Sequence, residues 1–498
     1  MEPSPSPINN DLFNLAREAF DRGMDRLHDV LISKKYIGTY YSWPKFEYFS
    51  NGLPNFSESS FFDSSPTDYK RAFGTNEDWQ IRTDAIPAFK ALLQYARTDK
   101  QLKDHFSWGT QPIPDSFFEF SITYFIEKLI DRHMHLFPDK PPDLETFKQI
   151  YRPLEAYLYQ ETLYVDVVVP ILFLKFDFDK LALGPNTLIE RMNDDFQLVR
   201  FSKKAYSPSV HSSVLGAATH ALVLKGWSIE NSSDLTLSRN FSRLDYYQKP
   251  LEFVDSFFAA IRVKAALHTG YAQVLLKPLN WASTYAAHLP PLEGTSLRRY
   301  PGWFEDYYWT QDVPVVPSKQ LLDCSDLFHK LTGIENNRLR IAVKRFNGCH
   351  LREADEDSIL DITIAMEALL SDDDRQEMTH KLALRIAALS TLVSENAPNP
   401  LDVFKAIKHI YRYRSKIVHG STKTQKSREI SIGSTQTIPT VTIALEYLRM
   451  LISILVLHQQ FLKPSIIDET LLLRPQNSLA GIPIEDSGKN HTATANNG

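Results

Sequence analysis

Toward its C-terminal end the chain reads PLDVFKAIKHIYRYRSKIVHG, and this stretch holds the residue types best suited to chemistry. On a helical wheel at ~100° per residue, Val403, Phe404, Ile407, Ile410, Tyr411, Ile417 and Val418 form one apolar arc, with Arg414 in its middle. An unpaired guanidinium in such a place is costly. Arg414 therefore requires an internal carboxylate, a subunit interface or a bound phosphate as partner. Ser415 and His419 share the edge of the arc with Arg412, so anion-binding groups meet an imidazole. Gly420 is the residue type that commonly follows a helix end, which puts His419 in the last turn. A helix C-terminus favours imidazolium and nearby arginines oppose it, a balance that suits a general acid or base.

A second anomaly lies at 355–371, where the wheel sets Glu367 among Leu360, Ile364 and Leu370 and leaves Asp357 and Asp361 on a polar side. The expectation is a buried carboxylate that pairs with Arg414 or with Arg385 on the following helix. Arg385 and Arg412 then support the site rather than perform chemistry. Taken alone, Arg414 is most simply a structural arginine tied to Glu367; for His419 the alternative to acid–base chemistry is a histidine that caps the helix end by bonding a terminal carbonyl. Elsewhere Glu127, Asp131 and His135 repeat at four-residue spacing, which could hold a metal but is expected to be a solvated helix face. No metal and no cofactor are expected.

The elements that position these residues follow from periodicity. Residues 336–464 read as five helices, at about 337–348, 355–371, 377–394, 400–419 and 438–462. This segment carries 18 Lys and Arg against 14 Asp and Glu, a formal +4 within a chain of net charge −5. Basic excess therefore coincides with the candidate site, although the whole molecule is no general polyanion binder. The polar segment after Gly420, STKTQKSREISIGSTQT, carries Lys423, Lys426 and Arg428. With Lys416 they are the candidate RNA-backbone contacts, on what reads as a flexible basic flap.

The 498 residues, 43% hydrophobic and 12% aromatic, allow two or three domains. Residues 1–160 read as mainly helical, with patterns at 11–34, 83–105, 114–136 and 143–159 around an irregular aromatic segment at 35–80. From 161 the composition turns β-rich: LYVDVVVPILFLKFDFD and LALGPNTLIERM read as strand, strand, turn, strand, followed by a helix-like 251–276. This mixed module, placed at 161–335, precedes the helical segment, and the tail from 475 to 498 is expected to be disordered. The fold class is thus α+β and mainly α. Only two cysteines occur, the N-terminus lacks the pattern of a secretory signal, and the runs Val167–Leu174 and Met450–Leu457 are too short to span a bilayer. A cytoplasmic protein without a membrane segment is expected.

The runs RLRIAVKRFNGCHLREADEDSILDITIAMEALL, THKLALRIAALS and FKAIKHIYRYRSKIVHG, in that order over roughly 336–460, resemble the Apea-like branch of the HEPN superfamily. The upstream PILFLKFDFDKLALGPNTLIERM is similar to the β-rich module that often precedes such domains. The resemblance implies an all-α bundle that dimerises so that two Arg-x4-6-His motifs face one cleft, with metal-independent endoribonuclease activity. It casts Arg414 and His419 as the catalytic pair and the RNA 2′-hydroxyl as nucleophile; the N-terminal 330 residues are expected to sense a phage-derived or other trigger or to restrain the nuclease. It also implies a toxin-like role in antiphage defence or abortive infection. Many family motifs have Asn, Asp or His after the arginine, where this chain has Ser415. A non-catalytic bundle that binds nucleic acid or protein as a scaffold is the alternative.

Overall fold

The computed structural model describes residues 7–41, 43–59, 65–106, 114–202, 210–231, 248–282, 293–372, 377–393, 396–420, 427–432 and 436–473. The expected disordered tail from 475 lies outside the described residues, as do Lys423 and Lys426. The chain divides into two compact units, Met1–Gly333 with His350–Glu353, and Ile334–Cys349 with Ala354–Gly498.

In the first unit, helices α1 (Asn10–Ile32), α2 (Pro87–Ala96), α3 (Lys100–His105), α4 (Asp115–Leu136) and α5 (Leu144–Tyr159) enclose one apolar core. Leu12, Phe20, Phe89, Ile126, Phe147 and Tyr151 are among its buried members. Local chemistry fixes the helix starts: Asn9 accepts from the Leu12 N–H to cap α1, and Asp143 and Thr146 form a capping box at α5. The aromatic segment at 35–80 contains an antiparallel hairpin, β1 (Trp43–Tyr48) with β2 (Pro54–Ser59).

The β-rich stretch builds a six-stranded sheet. Its strands are β3 (Thr162–Pro170), β5 (Lys180–Gly184), β6 (Thr187–Arg191), β7 (His220–Glu230), β8 (Tyr271–Pro278) and β9 (Glu293–Arg299), in the order β5-β6-β7-β3-β8-β9. Every neighbouring pair is antiparallel. The short strand β4 (Lys175–Phe176) instead pairs in parallel with β10 (Val315–Val316). Helices α6 (Asp194–Ser202) and α7 (Ser212–Gly216) precede β7, α8 (Gln248–Ala265) precedes β8, and α9 (Ser318–Thr332) closes the unit. The expected helix-like 251–276 is therefore two elements. It breaks after Ala265, where Ala266 takes a positive φ, and from Tyr271 the chain is a strand whose first six residues are all buried.

The second unit is a helical bundle of α10 (Asn337–Cys349), α11 (Asp355–Leu370), α12 (Met378–Ser390), α13 (Pro400–Val418) and α14 (Thr440–Leu457), followed by α15 (Pro464–Ile467) and a π-helical turn at Asp468–Leu472. Helix α11 packs against α10, α12, α13 and α14. Between α13 and α14 lies a hairpin, β11 (Glu429–Ile432) with β12 (Gln436–Pro439), where the sequence suggested an unstructured flap. The molecule is α+β with helix predominant.

Among the described residues, α14 is the one helix long and apolar enough to cross a membrane. Its apolar run begins well before Met450, which corrects the shorter span read from the sequence. Ile443, Leu448, Leu451, Ile452 and Leu455 are buried in the bundle, so α14 is a core helix.

Candidate functional site

Helix α13 carries the candidate site at its C-terminal end. Asn399 accepts from the Leu401 N–H and Pro400 occupies the first turn, which together fix where the helix begins and hence its phase. With that phase Val403, Ala406, Ile407, Ile410, Tyr411 and Tyr413 are buried in the bundle. Arg414 follows on the border of this face. His419 is the C-cap residue, its N–H donating to the Ser415 and Ile417 carbonyls. Gly420 has φ +61° with open space where a side chain would lie, so backbone conformation, not room, selects glycine there.

The Arg414 guanidinium lies 3.8 Å from Glu367 of α11, with 35% of the Arg414 side chain and 23% of the Glu367 side chain exposed. Its Nε is buried and has no hydrogen-bond partner among the described residues. The pair is thus half-buried and loosely closed, not sealed in a core as the wheel suggested. One edge of the guanidinium points inward while the rest meets the surface.

Arg385 is committed elsewhere. Its Nε and Nη2 donate to Asp468 at 2.9 and 2.6 Å, Nη2 also donates to Asp372 at 2.8 Å, and Nη1 donates to the Leu370 carbonyl at 2.9 Å. It ties the end of α11 to the turn after α15, and it is not the partner of Glu367. The geometry leaves that role to Arg414.

Helix α11 also differs from its wheel. Asp361, expected on the polar side, is buried and accepts from Arg345 Nη1 at 2.7 Å. Leu360, Ile364 and Glu367 form instead a half-exposed stripe. The reason is that α11 is covered from several sides, so a single buried face does not describe it.

The polar edge of the site divides in two. Ser415 and Arg412 are exposed beside the exposed His419. Lys416 Nζ donates to Ser427 Oγ at 2.7 Å, and Arg428 pairs with Glu356 at 2.5 Å, where Tyr413 also donates to the same carboxylate at 3.3 Å. Thr440 Oγ1 closes on the Ser427 carbonyl at 2.8 Å. Two of the expected RNA-contacting cations therefore clamp the base of the β11–β12 hairpin onto the bundle. The hairpin was missed although the Ile430 and Ile432 alternation carried a strand signal. The Glu356 carboxyl is held below its ordinary value, first by its own backbone N–H and then by Arg428 and Tyr413.

In the first unit, Asp131 on α4 is fully buried, which corrects the expected solvated face. It accepts from the Tyr40 hydroxyl and from the Tyr69 N–H, and Lys70 Nζ lies 3.7 Å away. Burial pushes Glu127 up to about 7. No cluster of three or more metal-ligating side chains occurs among the described residues.

Comparison with protein-family models, with curated proteins and with solved structures finds no significant match to the chain.

Proposed function

We propose that the second unit is a metal-independent endoribonuclease of the HEPN type, acting as a homodimer on RNA with Arg414 and His419 as its catalytic pair. The observation that carries the reading is Arg414 itself. A guanidinium that lies 3.8 Å from Glu367 and is 35% exposed can meet a phosphate, since its fork matches two phosphoryl oxygens. Exposed His419, five residues on at the helix end, has the chemistry to take a proton from a 2′-hydroxyl.

In this reading the 2′-oxygen attacks the adjacent phosphorus as His419 accepts its proton. The bond to the 5′-oxygen breaks, and that oxygen takes a proton from the imidazolium of a second copy. A 2′,3′-cyclic phosphate and a free 5′-hydroxyl result. Arg414 offsets the charge growing on the phosphoryl oxygens. Leu360 and Ile364 beside Glu367, and Ile417 and Val418 before His419, are incompletely buried apolar groups next to the site and suit the face that a second copy would cover. With Lys416 and Arg428 engaged in the hairpin clamp, their electrostatic contribution to RNA would be made from fixed positions. Ser415, exposed beside His419, supplies a hydroxyl donor for a phosphate oxygen.

We place the protein in the cytosol, in keeping with its two buried cysteines, Cys324 and Cys349, which are not joined in a disulfide. A toxin-like role in antiphage defence, with the first unit sensing a phage-derived or other trigger, completes the proposal. Purified full-length protein incubated with labelled RNA in EDTA is the test. Cleavage by the native protein that His419→Ala abolishes supports it, and binding without cleavage would favour the scaffold reading.

A further inference from the structure

The sheet of the first unit carries a built cavity that the nuclease reading does not use. Gly226 has φ +81°, a conformation that glycine adopts without strain, and it creates a bulge in β7. Between the pairs Val165–Trp227 and Val167–Leu224, strand β3 supplies Asp166 alone, while β7 supplies Lys225 and Gly226. On the other side of β3, Asp166 is in register with Lys277 of β8. One carboxylate is thus set between two lysines on neighbouring strands. Bulges commonly re-aim side chains at functional sites.

Asp166, Lys225 and Lys277 line a cavity of about 320 Å3 together with Glu190, Arg191 and Asn193. Its apolar wall comes from Val168, Ala221 and Val223 on the sheet and from Met192 and Phe196 at the start of α6. That volume lies at the small end of the range for pockets that take one small molecule. Asp166 is only 8% exposed, and it lines the cavity with Lys225 and Lys277, which interact with its carboxylate electrostatically. A carboxylate set in a cavity wall presents acceptor oxygens to a donor on an occupant. Its carboxyl is pushed up by burial, against the pull of Lys225 and Lys277. Arg191 pairs with Asp179 at 3.5 Å and Glu190 with Lys180 at 3.4 Å, which leaves Lys225 and Lys277 against Asp166, so an occupant with net negative charge complements the cavity.

We propose that this cavity binds a nucleoside monophosphate. The base would lie against Phe196, Met192 and the valines, and a base N–H or amino group would donate to Asp166. The phosphate would meet the cations Arg191, Lys225 and Lys277. A small anion alone would leave the apolar wall and Asp166 unused, and an uncharged nucleoside would leave the cations unused.

The site is tested by isothermal titration of the full-length protein with AMP, GMP, CMP and UMP, and with inorganic phosphate and the matching nucleosides. The expected result is saturable binding of at least one monophosphate, at least tenfold tighter than phosphate or its nucleoside. Lys225→Gln with Lys277→Gln should weaken it tenfold or more. Asp166→Asn should change which base is preferred, with thermal melts confirming that each variant is folded. No binding of any of the four nucleotides at millimolar concentration overturns the proposal. So does undiminished binding by the folded lysine double variant. RNA cleavage plays no part in this readout, so the two proposals stand or fall separately.

Discussion

The Arg414 guanidinium stands 3.8 Å from the Glu367 carboxylate and keeps a buried Nε without a hydrogen-bond partner among the described residues. Both side chains retain contact with solvent, and such pairs contribute little to stability, on the order of 0–1 kcal/mol. Arg414→Ala and Glu367→Ala should each leave the protein folded. The double variant should show a coupling energy of about 0.5 kcal/mol in thermal melts. A coupling of several kcal/mol would mean that Arg414 is a structural arginine after all.

Arg385 should behave in the opposite way. It is 4% exposed and satisfies two carboxylates and a helix-terminal carbonyl. Arg385→Met should cost about 3 kcal/mol in urea unfolding, toward the low end for breaking a buried pair because Asp372 and Asp468 can rehydrate. Asp468→Asn should cost clearly less. Equal, small losses from both would contradict the assignment of Arg385 as the tie between α11 and the C-terminal turn.

The clamp on the hairpin carries a pH signature. A carboxyl whose folded value is depressed adds stability above its unfolded value and loses it as pH falls. For Glu356 the contribution is full above about 4.5 and fades below it. Arg428→Ala should therefore lower the melting temperature slightly at pH 7, and the difference should shrink as the pH drops toward 3. An unchanged difference over that range would show that Glu356 does not hold Arg428.

Glu127 has the reverse sign. Its carboxyl is raised from 4.5 to about 7 by burial, so the folded state favours the protonated form. Stability from this group is full below pH 4.5 and lost as pH rises to about 7. Glu127→Gln should consequently raise the melting temperature at pH 8 and do little at pH 4. Melts at the two values check this.

These residues also show where the sequence was legible. The five bundle helices lie close to their periodic patterns because apolar spacing and end signals agree, as with Asn399, Pro400 and Gly420 around α13. Because each broke an apolar pattern, the sequence offered Arg414 or Arg385 as the partner of Glu367, and the contact at 3.8 Å is with Arg414. What failed were inferences that assume one buried side per helix: Asp361 and Asp131 looked solvated, yet neighbouring elements cover them. Residues 251–276 merged a helix with a central strand, since a fully buried strand has no alternation to separate it from an apolar helix. Asp166 drew no notice, because a cavity formed by a bulge and by strands far apart in sequence has no local signature.

The central claim is that RNA supplies its own nucleophile to the Arg414 and His419 pair. The most direct measurement is end-group analysis of an oligoribonucleotide and its 2′-deoxy counterpart after incubation with the full-length protein in EDTA. The account predicts a 2′,3′-cyclic phosphate and a 5′-hydroxyl from the RNA, and no cleavage at any deoxy position. Cleavage of the deoxy strand, or products bearing a 5′-phosphate, would contradict it.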